Sequence, residues 1–213
     1  MTTPPHRTAV LLDLDGTLID SCYVHVLSWA EAFQAAGYDV AMADIHAAIG
    51  MGGDRLVPWL LGGAPAGADE ISADHKRRFL DRAELLRPTA GAVALIEDLE
   101  RRRMSFVIAT SAGGEERSAL LGCLGREDLP TVDSGDVESS KPAPDPLLAA
   151  RDGFEERPDH VVMVGDAPWD AMAAVRAGFE AIAVRCGGFG DTVLASAGFS
   201  RIVDAPRGLV GSL

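Results

Sequence analysis

Short runs of almost uninterrupted apolar residues constrain this chain more than any other feature. Thr8 to Leu14 (broken by Asp13), Ser105 to Ala109, His160 to Val164 and Glu180 to Val184 are too short for helices and show little polar alternation. A run of that kind, closed by turn residues, reads as a strand buried on both faces. Thr131-Val132 and Arg201 to Val203 are weaker strand candidates. Helical stretches near 91–103, 114–124, 144–152 and 168–177 lie between these runs. Buried strands alternating with helices predict an α/β fold, a doubly wound parallel sheet with helices on both faces.

The stretch 21–87 breaks this alternation. It contains amphipathic segments near 21–36, 42–49, 54–61 and 69–86, interrupted by Gly50-Met51-Gly52-Gly53 and Leu61-Gly62-Gly63-Ala64-Pro65. Residues 1–20 and 88–213 are therefore expected to form the core, with 21–87 a helical insertion after the first strand. The 213 residues suffice for one domain with such an insertion. Nineteen Lys and Arg against 32 Asp and Glu give a net charge of −13. Such a balance argues against nucleic-acid binding, which draws affinity from neutralised phosphates. Cys22, Cys123 and Cys186 are odd in number and form no CxxC pair, so neither a zinc site nor a disulfide framework is expected. They suit a reducing, cytoplasmic setting. The first apolar run is too short for a signal-peptide core, and no stretch approaches about 20 apolar residues, so no membrane partner is expected.

In open α/β sheets ligands bind beyond the carboxyl ends of the strands. The first strand delivers Asp13 and Asp15 there, the second Thr110 and Ser111, and the third Asp166 with Asp170 four residues on. Lys141 opens the segment before the 144–152 helix. A single Asp at a strand end is ordinary turn and cap chemistry. Several carboxylates on one edge repel one another, and a bound cation removes the conflict. An all-oxygen set without His or Cys favours a hard ion such as Mg²⁺. A substrate phosphate would complete the ion's anionic ligands, with Lys141 and the Thr110 hydroxyl on its oxygens. Side-chain alternation lets Asp13 and Asp15 share a face, one to attack phosphorus and one to handle a proton.

Asp13-Leu14-Asp15-Gly16-Thr17-Leu18-Ile19-Asp20-Ser21 resembles the DxDGTxxDS signature of the haloacid dehalogenase superfamily. Thr110, Lys141 in Lys141-Pro142, and Gly165-Asp166 with Asp170 resemble its second, third and fourth motifs, in order. The insertion matches that superfamily's helical cap. The resemblance, to the phosphoglycolate phosphatase and β-phosphoglucomutase-like branch, implies a Rossmann-like core and assigns roles. Asp13 would be the nucleophile that forms an aspartyl-phosphate. Asp15 would protonate the leaving oxygen and then activate water, its carbonyl binding Mg²⁺. Asp13 and Asp166 would ligate the metal directly and Asp170 through water. Thr110, Ser111 and Lys141 would hold the phosphoryl group.

Two features separate a phosphatase from a mutase within that branch. Mutase-like members carry Val where this chain has Thr17, and an acidic residue where it has Gly165. The expected activity is hydrolysis of a small phosphorylated metabolite, with a sugar-phosphate mutase as the alternative and a non-catalytic binding protein less favoured. His25, where some mutases have a cap-hinge histidine, and Arg55, after the Gly50–Gly53 break, are candidate substrate contacts from the cap. Each also reads as an ordinary structural or exposed residue. Trp29, Trp59 and Trp169 read as packing residues rather than stacking platforms, and Arg101-Arg102-Arg103 as a solvated helix end. A monomer and a small homo-oligomer both remain open.

Overall fold

The computed structural model describes residues 7–133 and 140–213, so 1–6 and 134–139 of the expected core range lie outside the described residues. One sheet holds β1 (Thr8–Leu12), β2 (Ser105–Thr110), β3 (Thr131–Asp133), β4 (His160–Gly165), β5 (Glu180–Val184) and β6 (Arg201–Val203). The spatial order is β3-β2-β1-β4-β5-β6, with every neighbouring pair parallel. Leu11 pairs with Val107 on one side and with Met163 on the other. Successive strands step away from β1 in both directions, so the winding reverses between β1 and β4. That switch point opens a crevice beyond the carboxyl ends of the strands.

Strand alternation sorts the core into two layers. Val10, Leu12, Ile108, Val164 and Ile182 pack with Leu95 and Leu99 of α5 (Ala92–Arg101) and Leu120 of α6 (Gly114–Leu124). Leu11, Ala109, Met163 and Ala183 face the other way. They meet Leu147 of α7 (Asp145–Asp152), Ala171 and Ala174 of α8 (Pro168–Ala177) and Leu194 of α9 (Asp191–Ala197). Burial on both faces is why these strands carry almost no polar residues. Among the described residues no helix is long and apolar enough to cross a membrane.

Between β1 and α5 run α1 (Cys22–Ala35), α2 (Met42–Ala48), α3 (Gly53–Leu61) and α4 (Ala68–Leu80). They build an apolar cluster of their own from Trp29, Phe33, Ile45, Leu56 and Ile71. Phe79 and Trp169 are among the side chains that cross between this cluster and the sheet. Phe79 of α4 is fully buried in the layer that contains Val10 and Leu95. Trp169 of α8 packs against the helical cluster, and its indole N–H donates to Ala47 O at 3.1 Å. Where the chain leaves and re-enters the core, Asp20 N–H donates to Arg87 O at 2.8 Å.

Three details depart from the sequence reading. The first strand stops at Leu12 rather than Leu14, because the chain turns there: Leu18 and Ile19 N–H both donate to Leu14 O. The 69–86 segment is not one helix; α4 ends at Leu80 and a 3₁₀ turn over Ala83–Leu85 follows. Helix α9 had no expected counterpart, since Asp191–Ala197 is short and built of small residues.

Phe79→Ala should cost about 3–5 kcal/mol, the range for truncating a fully buried Phe. Trp59→Ala, at a side chain 50% exposed, should cost less than about 1 kcal/mol. Denaturant unfolding of both variants measures this; equal losses would contradict the bridging place given to Phe79.

Candidate active site

Asp13 follows β1, Thr110 ends β2, and Asp166 follows β4, so the switch-point crevice is lined from three adjacent strands. Asp13 N–H still donates to Val164 O at 2.9 Å, which carries the parallel ladder one residue past the strand and fixes where the carboxylate starts. The turn at Gly16 then brings the chain back beside β4. Gly16 has φ +75, and a Cβ there would collide with the Asp166 carboxylate and the Cys22 sulfur. Left-handed backbone and close approach both demand glycine at this point. Thr17 Oγ1 donates to Asp166 Oδ1 at 2.8 Å, and the Cys22 thiol lies 3.5 Å from Oδ2.

Lys141 Nζ reaches in from the segment before α7. It is 2.5 Å from Asp13 Oδ1, 2.8 Å from Asp170 Oδ1 and 3.3 Å from Ala109 O. The 2.8 Å contact with Lys141 is thus the ion pair that meets the buried Asp170 Oδ1. Asp170 Oδ2 accepts the N–H groups of Asp166 and Ala167 at 3.2 and 3.1 Å, at the start of α8. Asp13, Asp166 and Asp170 each offer an oxygen within 4.8 Å of the others, and all are buried.

Burial pushes the Asp13 carboxyl up to about 7; Lys141 pulls it down and Asp170 pushes it further up. Burial also raises Asp166 well above the carboxylate range, with Asp13 and Asp170 adding to the rise against the Thr17 hydrogen bond. Lys141 is held protonated: burial opposes its charge, and Asp13 and Asp170 overcome that opposition. With all three carboxylates ionised and one ammonium among them, two negative charges are left uncompensated. The donor set is all oxygen, so the residues present fit a hard divalent cation. These carboxylates could hold one.

Asp15 is treated differently by its surroundings. Its Oδ1 accepts from the Ser21 hydroxyl at 2.7 Å and pairs with His25 Nε2 at 2.9 Å. Burial alone would raise its pKa, but the charge and hydrogen bond of His25, with Ser21, bring it below the usual value. Burial likewise disfavours charge on His25, and the Asp15 charge and hydrogen bond reverse this to a net rise. Neighbouring carboxylates in one motif are thus driven apart, Asp13 upward and Asp15 downward.

A cavity of about 230 Å³ opens above Asp13 and Asp15. Its walls include His25 and Trp29 of α1, the Gly50–Gly53 loop, His75 of α4, and Ser111 and Glu116 on the β2 side. The structure therefore gathers Asp13, Asp15, Asp166, Asp170 and Lys141 at one crevice. Ser111 and His25 stand on the cavity wall above them. The Thr110 hydroxyl accepts Ala112 N–H at 3.0 Å and so shapes the turn after β2. Arg55 is outside the cavity wall, half exposed and 3.6 Å from Asp54. Asp13 and Asp15 both lie beyond β1, which ends at Leu12, so strand alternation is not what sets the direction of Asp15. His75 and Glu116 were not singled out in the sequence, nor was the bond from Thr17 to Asp166. A trace existed: His25 with Trp29, and His75 with Phe79, are spaced four residues apart and so share helix faces. That the two faces meet is tertiary information.

A family model described as haloacid dehalogenase-like hydrolase matches residues 8–178. The chain is 31% identical over 179 residues to a phosphoglycolate phosphatase of Rhodobacter capsulatus, covering 80% of each chain. It is 29% identical over 224 residues to an N-acetylmuramic acid 6-phosphate phosphatase of Pseudomonas aeruginosa, covering 96% of this chain and 94% of that one. A solved hydrolase from Pseudomonas syringae superposes with a TM-score of 0.92 at 32% identity, over 96% of this chain and 97% of that one.

An acid raised in the folded state binds its proton more tightly there than when unfolded. Ionising it therefore removes stability as pH climbs from about 4, the ordinary Asp value, to the folded value of about 7. In excess chelator, Asp13→Asn should melt higher than wild type at pH 7.5, and the gap should shrink toward pH 4. A gap that widens on acidification would show that the Asp13 carboxylate is stabilised, not strained, by its neighbours.

Proposed function

The chain belongs to the haloacid dehalogenase-like hydrolase family, and we propose that it is a Mg²⁺-dependent phosphatase working through an aspartyl-phosphate on Asp13. Its activity class is phosphoric monoester hydrolysis on small phosphorylated metabolites. The observation that carries the mechanism is the contrast between Asp13 and Asp15. Asp13 is the buried carboxylate against Lys141, at the centre of the acidic cluster. Asp15 is the carboxylate paired with His25, whose Nε2 is 2.9 Å away.

In this mechanism an Asp13 oxygen attacks phosphorus, and the bond from phosphorus to the leaving oxygen breaks. That oxygen takes a proton from Asp15, which must first gain one; the His25 Nε2 proton is the adjoining source. Water then attacks the acyl phosphate, giving its proton to Asp15, and inorganic phosphate departs as Asp13 is regenerated. Lys141 holds charge on the phosphoryl oxygens, and the Ser111 and Thr110 turn supports them. Bound by Asp13, Asp166, the Asp15 carbonyl and, through water, Asp170, a Mg²⁺ ion would offset the charge of nucleophile and phosphate together.

Gly165 favours hydrolysis over the mutase alternative. Asp170 folds back against Gly165 so closely that a Cβ there would collide with the Asp170 carboxylate. The extra acidic side chain of the mutase pattern has no room at that position. The unpaired cysteines suit a cytoplasmic protein, and the substrate is a small phosphate ester sized to the cavity.

A panel of phosphorylated metabolites assayed for phosphate release tests this reading. Turnover should need Mg²⁺, fall in excess EDTA and require no bisphosphate activator. Asp13→Asn should lose about 10³-fold or more, as expected when a nucleophile is removed. Hexose 1- and 6-phosphates interconverting faster than phosphate appears would overturn the assignment.

A further inference from the structure

A second group of metal-ligating side chains stands in the same cavity and shares no member with the acidic cluster. His25 of α1, His75 of α4 and Glu116 of α6 bring one donor atom each within 4.8 Å of the others. His25 Nδ1 is 3.0 Å from His75 Nε2 and 3.9 Å from Glu116 Oε1. We propose that these three residues form an inhibitory site for a zinc-class transition-metal ion within the substrate cavity.

Ring orientation carries the argument. Asp15 Oδ1 engages His25 at Nε2, which leaves Nδ1 as the ring nitrogen that faces His75 and Glu116. Carboxylate, imidazole and metal in that order is the usual outer-shell arrangement of a histidine-ligated ion. His75 is held in the matching orientation by stacking on Trp29, ring centres 3.9 Å apart, and Phe79 stacks on His25 at 4.0 Å. Zinc nitrogen and oxygen ligands at about 2.0–2.1 Å in a tetrahedral site stand roughly 3.3 Å from each other; the observed 3.0 and 3.9 Å bracket that edge. Two imidazoles and one carboxylate, with a fourth position facing the cavity, is a zinc donor set. It differs in kind from the all-oxygen cluster around Asp13, so donor chemistry sorts the two ions. With no ion bound, one proton shared between His25 and His75 satisfies the pair, and the metal takes that proton's place. An ion there fills space the substrate needs and keeps Asp15 tied to His25. The inhibition rests on the phosphatase reading; the binding does not.

The test is a Co²⁺ titration of the whole chain in excess Mg²⁺, following the intense visible bands of four-coordinate cobalt. One equivalent should develop the bands, and Zn²⁺ should bleach them. His75→Asn and Glu116→Gln should each weaken Co²⁺ by at least about tenfold, since even outer-shell losses cost that much. Asp166→Asn should leave the bands in place. Glu116→Gln is nearly isosteric, so it keeps the test decisive if circular dichroism shows His75→Asn to be unfolded. Absence of the bands, or bands that survive Glu116→Gln and vanish in Asp166→Asn, would overturn the site. Zn²⁺ should also suppress phosphate release in wild type about tenfold more potently than in Glu116→Gln; equal potency would overturn its inhibitory role. Cobalt binding as described in a protein with no activity on any monoester would support the site while refuting the phosphatase reading.

Discussion

The structure depends on a crowding of like charges. Asp13, Asp166 and Asp170 are buried together at the carboxyl edge of the sheet with one ammonium, Lys141, among them. Nothing in folding favours that arrangement, because burial and mutual repulsion both act against the ionised carboxylates. The surrounding chain is built to tolerate it. Thr17 donates to Asp166, two backbone N–H groups at the start of α8 hold Asp170, and Ala109 O gives Lys141 a further partner. Removing side chains is part of the same construction: Gly16 and Gly165 leave the space that the Asp166 and Asp170 carboxylates occupy.

Placement follows from topology. The site stands where the sheet reverses its winding, so β1, β2 and β4 deliver their ends to one point. The helices between β1 and α5 then roof that point. They do so with an apolar cluster of their own, joined to the sheet through Phe79 and Trp169. His25 and His75 sit on the underside of that roof, and His25 comes within hydrogen-bond reach of the Asp15 carboxylate at the sheet edge. Chemistry at the sheet edge and the position of the roof are therefore linked through Asp15.

The sheet was legible because strands buried on both faces leave an unmistakable apolar run, as in Val161 to Val164 and Ala181 to Val184. The meeting of Asp13 and Asp166 was legible for a related reason: each closes such a run, and parallel strands deliver their carboxyl ends to one edge. Other parts could not be read. Where β1 stops depends on the Leu14 carbonyl accepting from Leu18 and Ile19, a turn that residue composition does not reveal. His75 lies in a helix rich in charge, and its meeting with His25 fifty positions earlier is set by how α4 lies against α1. Arg55 was named by its position after the glycine break, and whether it stands on the cavity wall depends on how α3 lies, which spacing does not reveal.

The central claim is that Asp13, not Asp15 or a water molecule, first bonds to phosphorus. Acid quenching during turnover, followed by borohydride reduction and peptide mass spectrometry, tests it directly, because an acyl phosphate is reduced to the alcohol while a free carboxylate is not. The account predicts homoserine at position 13 in the wild type, formed only when a substrate is turning over. Reduction at any other carboxylate, or none during active phosphate release, would contradict it.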